Sequence, residues 1–468
     1  MDQTNGKLKA WFKRITKPRE DVDMTVGSTV RHLITFAFPL FIGNIFQQLY
    51  NTVDTWVVGN YVSNEAFSAV GTVGPIINLL IGFFLGLSSG AGVVISQYYG
   101  AKKYDKVHDT IHTAIVMTLV LAVIFTAVGI AMVPFMLDMM KTPEEVKPES
   151  AAYLTIYFAG VVGLMLYNIG SGILRAIGDS RRPFYYLVVS AVINTVLDLV
   201  FVICFNMGVE GVALATIIAQ GISAALVIIL LLRTDSCIKL IPKDLRIDWK
   251  MLAKIIKIGI PAAIQMAITS FSNIFVQSYI NYFGADCMSG WTAYSKIDQF
   301  IFLPMQSLAL AATTFVGQNL GVNQVDRARR GSDIALGIAA VLTVIIIIPI
   351  LIFAPDFVMF FNKKPEVVEY GGMLLRWISP FYVLCSVNQI YSGSLRGAGN
   401  SRAPMIIMLG SFVVFRQIYL FIMSRYIANE IIPIALSYPA GWLICSICVF
   451  VYYRRAKLSK TRIVEDTD

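Results

Sequence analysis

The sequence predicts an all-α, polytopic membrane protein with twelve transmembrane helices in two homologous six-helix lobes, and three observations carry that prediction. The chain has 468 residues, 56% of them hydrophobic and only 14% charged, against roughly 25% charged in an ordinary soluble domain. Long apolar runs such as "TAIVMTLVLAVIFTAVGIAMVPFML" (113 to 137) and "SDIALGIAAVLTVIIIIPILIFA" (332 to 354) meet the requirement of about 20 apolar residues for crossing a bilayer. The stretch "SGILRAIGDSRRP" (171 to 183) returns as "SGSLRGAGNSRAP" (392 to 404), with 8 of 13 positions identical and an offset of 221. Lipid offers the backbone no hydrogen-bond partner, so a span is a helix or part of a closed barrel. The alternation of period two that a barrel strand needs is absent.

Breaking the chain at polar, charged and Pro/Gly clusters gives twelve spans, starting near residues 33, 66, 110, 150, 184, 210, 255, 290, 332, 372, 404 and 431. The expected organisation is a basic cytoplasmic segment (1–32), a first lobe (33–234), a cytoplasmic linker (235–254), a second lobe (255–453) and a cytoplasmic tail (454–468). Of the 38 Lys and Arg residues, 30 fall on one side of this arrangement, and only Lys141, Lys147, Lys363, Lys364 and Arg425 lie opposite. Lys/Arg excess marks the cytoplasmic side, which places both termini inside a cell membrane. Orientation and contact with anionic lipid then account for the net charge of +9, with no nucleic acid required. The first thirty residues are too polar for a cleavable signal. Within them "KLKAWFKRI" sets Leu8, Trp11, Phe12 and Ile15 at helical spacing opposite four basic residues, the pattern of a helix lying on the inner leaflet.

The repetition extends beyond one motif. "ISQYYGAKKYDK" (95 to 106) corresponds to "VGQNLGVNQVDR" (316 to 327) at the same offset. At an offset of 222, Pro39 meets Pro261, Asn51 meets Asn273, and "TPEEV" (142 to 146) meets "KPEVV" (364 to 368). Four landmarks in the same order mean two homologous halves. Each has six spans, so both enter from the same side, as parallel repeats about an axis along the membrane normal.

Chemistry is expected where charge enters lipid, because an ionisable group at depth is costly and needs a partner or a task. Asp54, Asp198, Lys296, Asp298 and Arg416 stand inside spans. Asn194 precedes Asp198 by four residues and shares its helix face. Asn168 on span 4 and Thr216 on span 6 add neutral oxygens if they point into the same space. Carboxylate, amide and hydroxyl oxygens are the ligands a hard cation such as sodium takes, and the same carboxylates could instead carry a proton. Asn273, Gln277, Tyr294 and Gln389 are candidates for lining a substrate cavity. Counting ~1.5 Å per residue from the ends of their spans puts Asp298 and Arg416 at one depth, so a buried ion pair between them is expected, with Lys296 turned to the outer interface. On aligning the halves, Asp198 meets Tyr419 and Asp54 meets Val276. Cation binding is therefore expected in the first lobe alone.

"PLFIGNIFQQLYNTVDTWVVG" (39 to 59), "LRAIGDSRRP" (174 to 183), "NTVLDLVFV" (194 to 202), "GVALAT" (211 to 216) and "TTFVGQNLG" (313 to 321) together resemble the multidrug and toxic-compound extrusion (MATE) family over roughly residues 30 to 455. The resemblance implies a two-lobed antiporter that exports small, amphipathic, cationic compounds against an inward sodium or proton gradient, and the chain is expected to act as a monomer. The resemblance also implies that the span-1 Asp, the span-5 Asn and Asp and the span-6 Thr form a cation site. A lipid-linked saccharide flippase of the wider superfamily is the alternative, but it needs a strongly cationic cavity, and the spans supply only Lys296 and Arg416. No enzymatic activity, cofactor or resident metal is expected: GxxxxGK[ST], HExxH and GxSxG motifs are absent. His108 and His112 lack a third ligand, and the six Cys lie mostly in apolar runs. Gly82, Gly86 and Gly90 on span 2 favour close helix packing.

Overall fold

The computed structural model describes residues 22–464 apart from 63 and 141, and all regular elements among the described residues are helical. The predicted amphipathic helix at Leu8–Ile15 lies outside them. The first half comprises α1 (Thr29–Tyr61), α2 (Asn64–Gly100), α3 (Tyr104–Met139), α4 (Lys147–Ala159), α5 (Val161–Ala176), α6 (Arg181–Leu199) with a π-helical extension Val200–Cys204, and α7 (Gly208–Arg233). The second half comprises α8 (Trp249–Asn281), α9 (Ala285–Gly321), α10 (Val325–Ile352), α11 (Ala354–Met359), α12 (Pro365–Ile378), α13 (Tyr382–Gly397) and α14 (Arg402–Met408). A π-helical stretch, Leu409–Phe415, then leads into α15 (Arg416–Ile422), a second π turn (Met423–Ile427), α16 (Ile431–Ala435) and α17 (Ser437–Arg455).

Among the described residues nine helices are individually long and apolar enough to span a membrane, and α4 with α5, bent by 48°, makes a tenth. The continuous α8 and the α12–α13 run complete twelve spans. Their outward faces carry apolar side chains in the open, such as Val123 and Phe135 on α3 and Val341 and Ile345 on α10. That is unfavourable in water and what a lipid environment requires.

The repeated motif becomes intelligible as a packing corner. Gly172 on α5 crosses α2 at Ser88, where a Cβ would come within 2.4 Å of the hydroxyl oxygen. Its counterpart Gly393 on α13 crosses α9 so that a Cβ would lie 2.6 Å from the Ala309 carbonyl. After each helix a glycine at φ +89°, Gly178 or Gly399, reverses the chain in a conformation that other residues resist. The next residue then caps the following helix: Asp179 Oδ1 accepts from Arg181 N (3.0 Å) and Arg182 N (3.2 Å), and Asn400 Oδ1 accepts from Ala403 N (3.2 Å). The α2–α3 and α9–α10 turns match as well, with Lys102 (φ 57°) and Asn323 (φ 60°) at equivalent left-handed positions.

The chain divides into two compact units. One contains 42–256 and the other 24–41 with 257–468. In the second unit Leu33, Phe36, Ala37 and Leu40 of α1 pack with Leu308, Ala311, Ala312 and Phe315 of α9. In the first unit the linker docks on α3. Ile241 N donates to His112 Nε2 (3.0 Å) and Asp248 N to Thr113 Oγ1 (3.0 Å), and Ile238 and Leu240 are buried. The first helix of each half thus begins in the unit of the other half.

Candidate functional site

Asp54 on α1 and Asp198 at the end of α6 are buried, with 8% and 0% of their surface exposed. Asn194, one turn before Asp198, is equally enclosed. The two carboxyl groups are neighbours, each acting electrostatically on the other. Among the described residues, Asp54 Oδ1, both oxygens of Asp198 and both polar atoms of the Asn194 amide have no hydrogen-bond partner. Buried polar groups are normally paired, and leaving one unpaired costs about 1–3 kcal/mol, more for a charge. Four orphaned oxygens on two helices make the donor set of a hard cation such as sodium, and two facing carboxylates can equally share a proton. The Thr216 hydroxyl on α7 donates to Val212 O at 2.9 Å, which leaves its lone pairs free to accept.

The local sequence explains how these groups meet. Gly160, at the α4–α5 bend, and Gly163 bring the bent span against α7: a Cβ at Gly160 would lie 2.4 Å from Ile217, and one at Gly163 would lie 2.9 Å from the Gly221 backbone. Ser190 Oγ donates to Ala219 O (2.9 Å), fixing α6 to α7. Sequence reasoning missed the aromatic wall of the site. Tyr153 lies near Thr216 and interacts with both acids, Tyr50 lies near Asp54, and Tyr157 lies near Gln220. The spacing of Tyr153 and Tyr157, one turn apart on α4 and nearly parallel (13° between ring planes), was the available signal. Asn168 does not join the cluster among the described contacts. Its amide donates to Leu164 O (2.8 Å), and its own carbonyl accepts from Ser88 (2.6 Å).

The sequence profile of the MatE family matches residues 39–200 and again 261–422. The chain belongs to the MatE family. It is 30% identical to the probable multidrug resistance protein YpnP of Bacillus subtilis over 434 residues, covering 92% of this chain and 96% of that one. It is 24% identical to the probable multidrug resistance protein NorM of Thermotoga maritima over 452 residues (93% and 96%). Among solved structures, it superposes with TM-score 0.89 on the outward-facing conformation of a multidrug resistance MATE family transporter, at 22% identity and covering 96% of this chain and 100% of the other. The fold is therefore the twelve-helix, two-lobed MatE fold.

In the second half of the MatE chain the predicted residues separate. The expected Asp298–Arg416 ion pair is not formed among the described contacts. Asp298 accepts from the Tyr382 hydroxyl, which also meets Tyr294 (3.1 Å). Arg416 Nη1 donates to Asn273 Oδ1 (3.2 Å). The depth count assumed a regular helix from Pro404, whereas the π turn before Arg416 carries more residues per turn and re-aims the side chain. Tyr294 is buried in the core at 2% exposure. Gln277 donates to Asn281 on its own helix (2.8 Å). Gln389 is half-buried, while Asn273 and Lys296 are exposed.

Proposed function

We propose that this chain is a cation-coupled antiporter of the cell membrane that exports small, amphipathic, cationic compounds, with Asp54, Asn194, Asp198 and Thr216 holding the coupling sodium ion or proton. The observation that carries the reading is the set of orphaned, buried oxygens on α1 and α6. Two buried carboxylates in one site repel each other, and a bound cation relieves that repulsion. An ion that binds one conformation better than another by this margin shifts the balance between them, which is what coupling requires. Names of the relatives point the same way: "multidrug resistance" for YpnP and "multidrug export" for the MepA protein of Staphylococcus haemolyticus, 22% identical over 440 residues.

The test is efflux of a cationic dye from liposomes under separately imposed sodium and pH gradients. One gradient should drive transport in the wild type, and neither should in Asp54→Asn or Asp198→Asn, although both variants insert and fold. Wild-type rates in both variants would reject the assignment.

A further inference from the structure

At the repeat motif and at Pro183/Pro404 the two halves are offset by 221, but beyond it "VALAT" (212 to 216) meets "IALSY" (434 to 438) at 222. One residue is therefore added in the second half between Pro404 and Ile434. The π-helical Leu409–Phe415 supplies it, because an i→i+5 turn holds one residue more than an α turn. The first half is α-helical throughout the corresponding stretch, within Arg181–Leu199. The later π turn, Met423–Ile427, has a π-helical counterpart in Val200–Cys204, one residue out of that register.

With that residue accounted for, Arg416 stands opposite Asn194 and Leu420 opposite Asp198, in place of the Tyr419 match that the ungapped alignment gives. On the other helices Val276 stands opposite Asp54 and Tyr438 opposite Thr216. The whole oxygen set of the first half is replaced at once. Both acids become apolar, and an arginine takes the place of the amide.

The Arg416 guanidinium is held as a bound cation would be. The residue is 1% exposed, and its guanidinium carbon lies 4.3 Å from the Tyr438 ring centroid and 5.0 Å from that of Phe412. Rings at this range attract a cation through their negative faces. Asn273 Oδ1 accepts both from Arg416 Nη1 and from the Tyr438 hydroxyl, each at 3.2 Å. Gly441 leaves room alongside, since a Cβ there would stand 3.4 Å from Nε. No carboxylate pairs with Arg416 among the described residues, and its charge also interacts with Tyr438, Cys385, Tyr294 and Cys445.

We propose that Arg416 is a tethered cation: its guanidinium fills the second half's counterpart of the cation site, so that this lobe carries a permanent charge where the other exchanges an ion. The comparison rests on the proposed role of Asp54 and Asp198, but the occupancy of the aromatic and amide cage does not. The consequence is one exchangeable coupling site per chain, with a fixed charge at its repeat position.

Chemical rescue tests this. Arg416→Ala opens a cavity that should accept free guanidinium. Its melting temperature should fall, and millimolar guanidinium chloride should restore several degrees and part of the dye-efflux rate. Urea, a neutral molecule of the same shape, and sodium chloride at equal ionic strength should do neither, and the wild type should not respond. Arg416→Lys and Arg416→Met carry the test if the alanine variant does not fold: lysine should retain most of the stability, and methionine, of similar length without charge, should lose it. Equal rescue by urea or salt, or a methionine variant that melts and transports like the wild type, overturns the proposal. Repeating the rescue with Asp54→Asn present separates the two readings. Persistent rescue beside wild-type coupling in Asp54→Asn removes the first-lobe assignment alone, and unspecific rescue removes the tethered cation alone.

Discussion

The backbone N–H of Met24 donates to Gln318 Oε1 at 2.9 Å, across 294 residues of sequence. Its carbonyl accepts from Asn319 Nδ2 (3.3 Å) and Arg327 Nη2 (3.2 Å), and Arg327 also reaches Gly27 O (2.9 Å). Met24 and Gln318 are almost fully buried, so these backbone groups have no water to turn to. Gln318→Leu leaves a buried N–H unpaired and should cost about 1–3 kcal/mol. Thermal melting checks the cost, and limited proteolysis should show new cleavage near residues 22–28. Unchanged melting and unchanged protection would mean that the contact does not hold the segment.

What was legible in the sequence was what depends on local composition. Apolar runs gave the spans because lipid demands them, and the spacing of Gly, Asp and Asn in the repeated motif gave the corner because those residues have few other conformational uses. Asp54, Asn194 and Asp198 were legible because charge in an apolar run is conspicuous. Three things were not. The π turn before Arg416 has no compositional mark, since Leu409–Phe415 reads as ordinary helix, and it displaced the register by which Asp298 and Arg416 were matched. The docking of Leu33 and Phe36 against α9 is non-local and left no sign in the hydrophobic pattern. Tyr153 was hidden because aromatic residues are common in spans whether or not they face a site.

Tyr153 offers a graded test of the first-lobe site. Its hydroxyl lies near Thr216 while its ring is buried, so Tyr153→Phe removes one hydroxyl able to hydrogen-bond at the site and little volume. At about 1 kcal/mol for such a bond, the ion concentration that half-saturates dye efflux should rise about fivefold, with folding intact. An unchanged half-saturation with a reduced maximal rate would assign Tyr153 to some other step.

Glycines on the spans should divide sharply by surroundings. A Cβ at Gly397 would fall 2.3 Å from the Thr313 carbonyl oxygen, which belongs to a backbone that cannot step aside, whereas one at Gly337 on α10 meets nothing within 4 Å. Gly397→Ala should therefore destabilise by about 1–3 kcal/mol through overpacking. Gly337→Ala should be neutral or stabilising by up to ~1 kcal/mol, because alanine is the better helix former. Melting temperatures of the two purified variants decide the matter, and a similar sign for both would mean that the α9–α13 crossing is looser than described.

The last prediction concerns sidedness. Glu145 and Glu366 are exposed in the equivalent TPEEV and KPEVV stretches of the two halves, and Asp105 and Asp326 are exposed in the first turns of α3 and α10 at the other end. The Lys/Arg excess lies at the latter end. Single cysteines on a Cys-free background should therefore label from outside at 145 and 366, and only after permeabilisation at 105 and 326. The start of α12, which carries Glu366, is fixed by Lys364, whose ammonium meets Asp286 at 2.6 Å. That hydrogen bond raises the Lys364 pKa above the ordinary lysine value. The contribution is thus fully present below the unfolded pKa of about 10.4 and is lost only as pH rises through the higher folded value. Labelling near pH 8 samples the native helix start. Opposite accessibility at 145 and 366, or at 105 and 326, would mean that the halves are inverted rather than parallel, and the twelve-span count would fall with it.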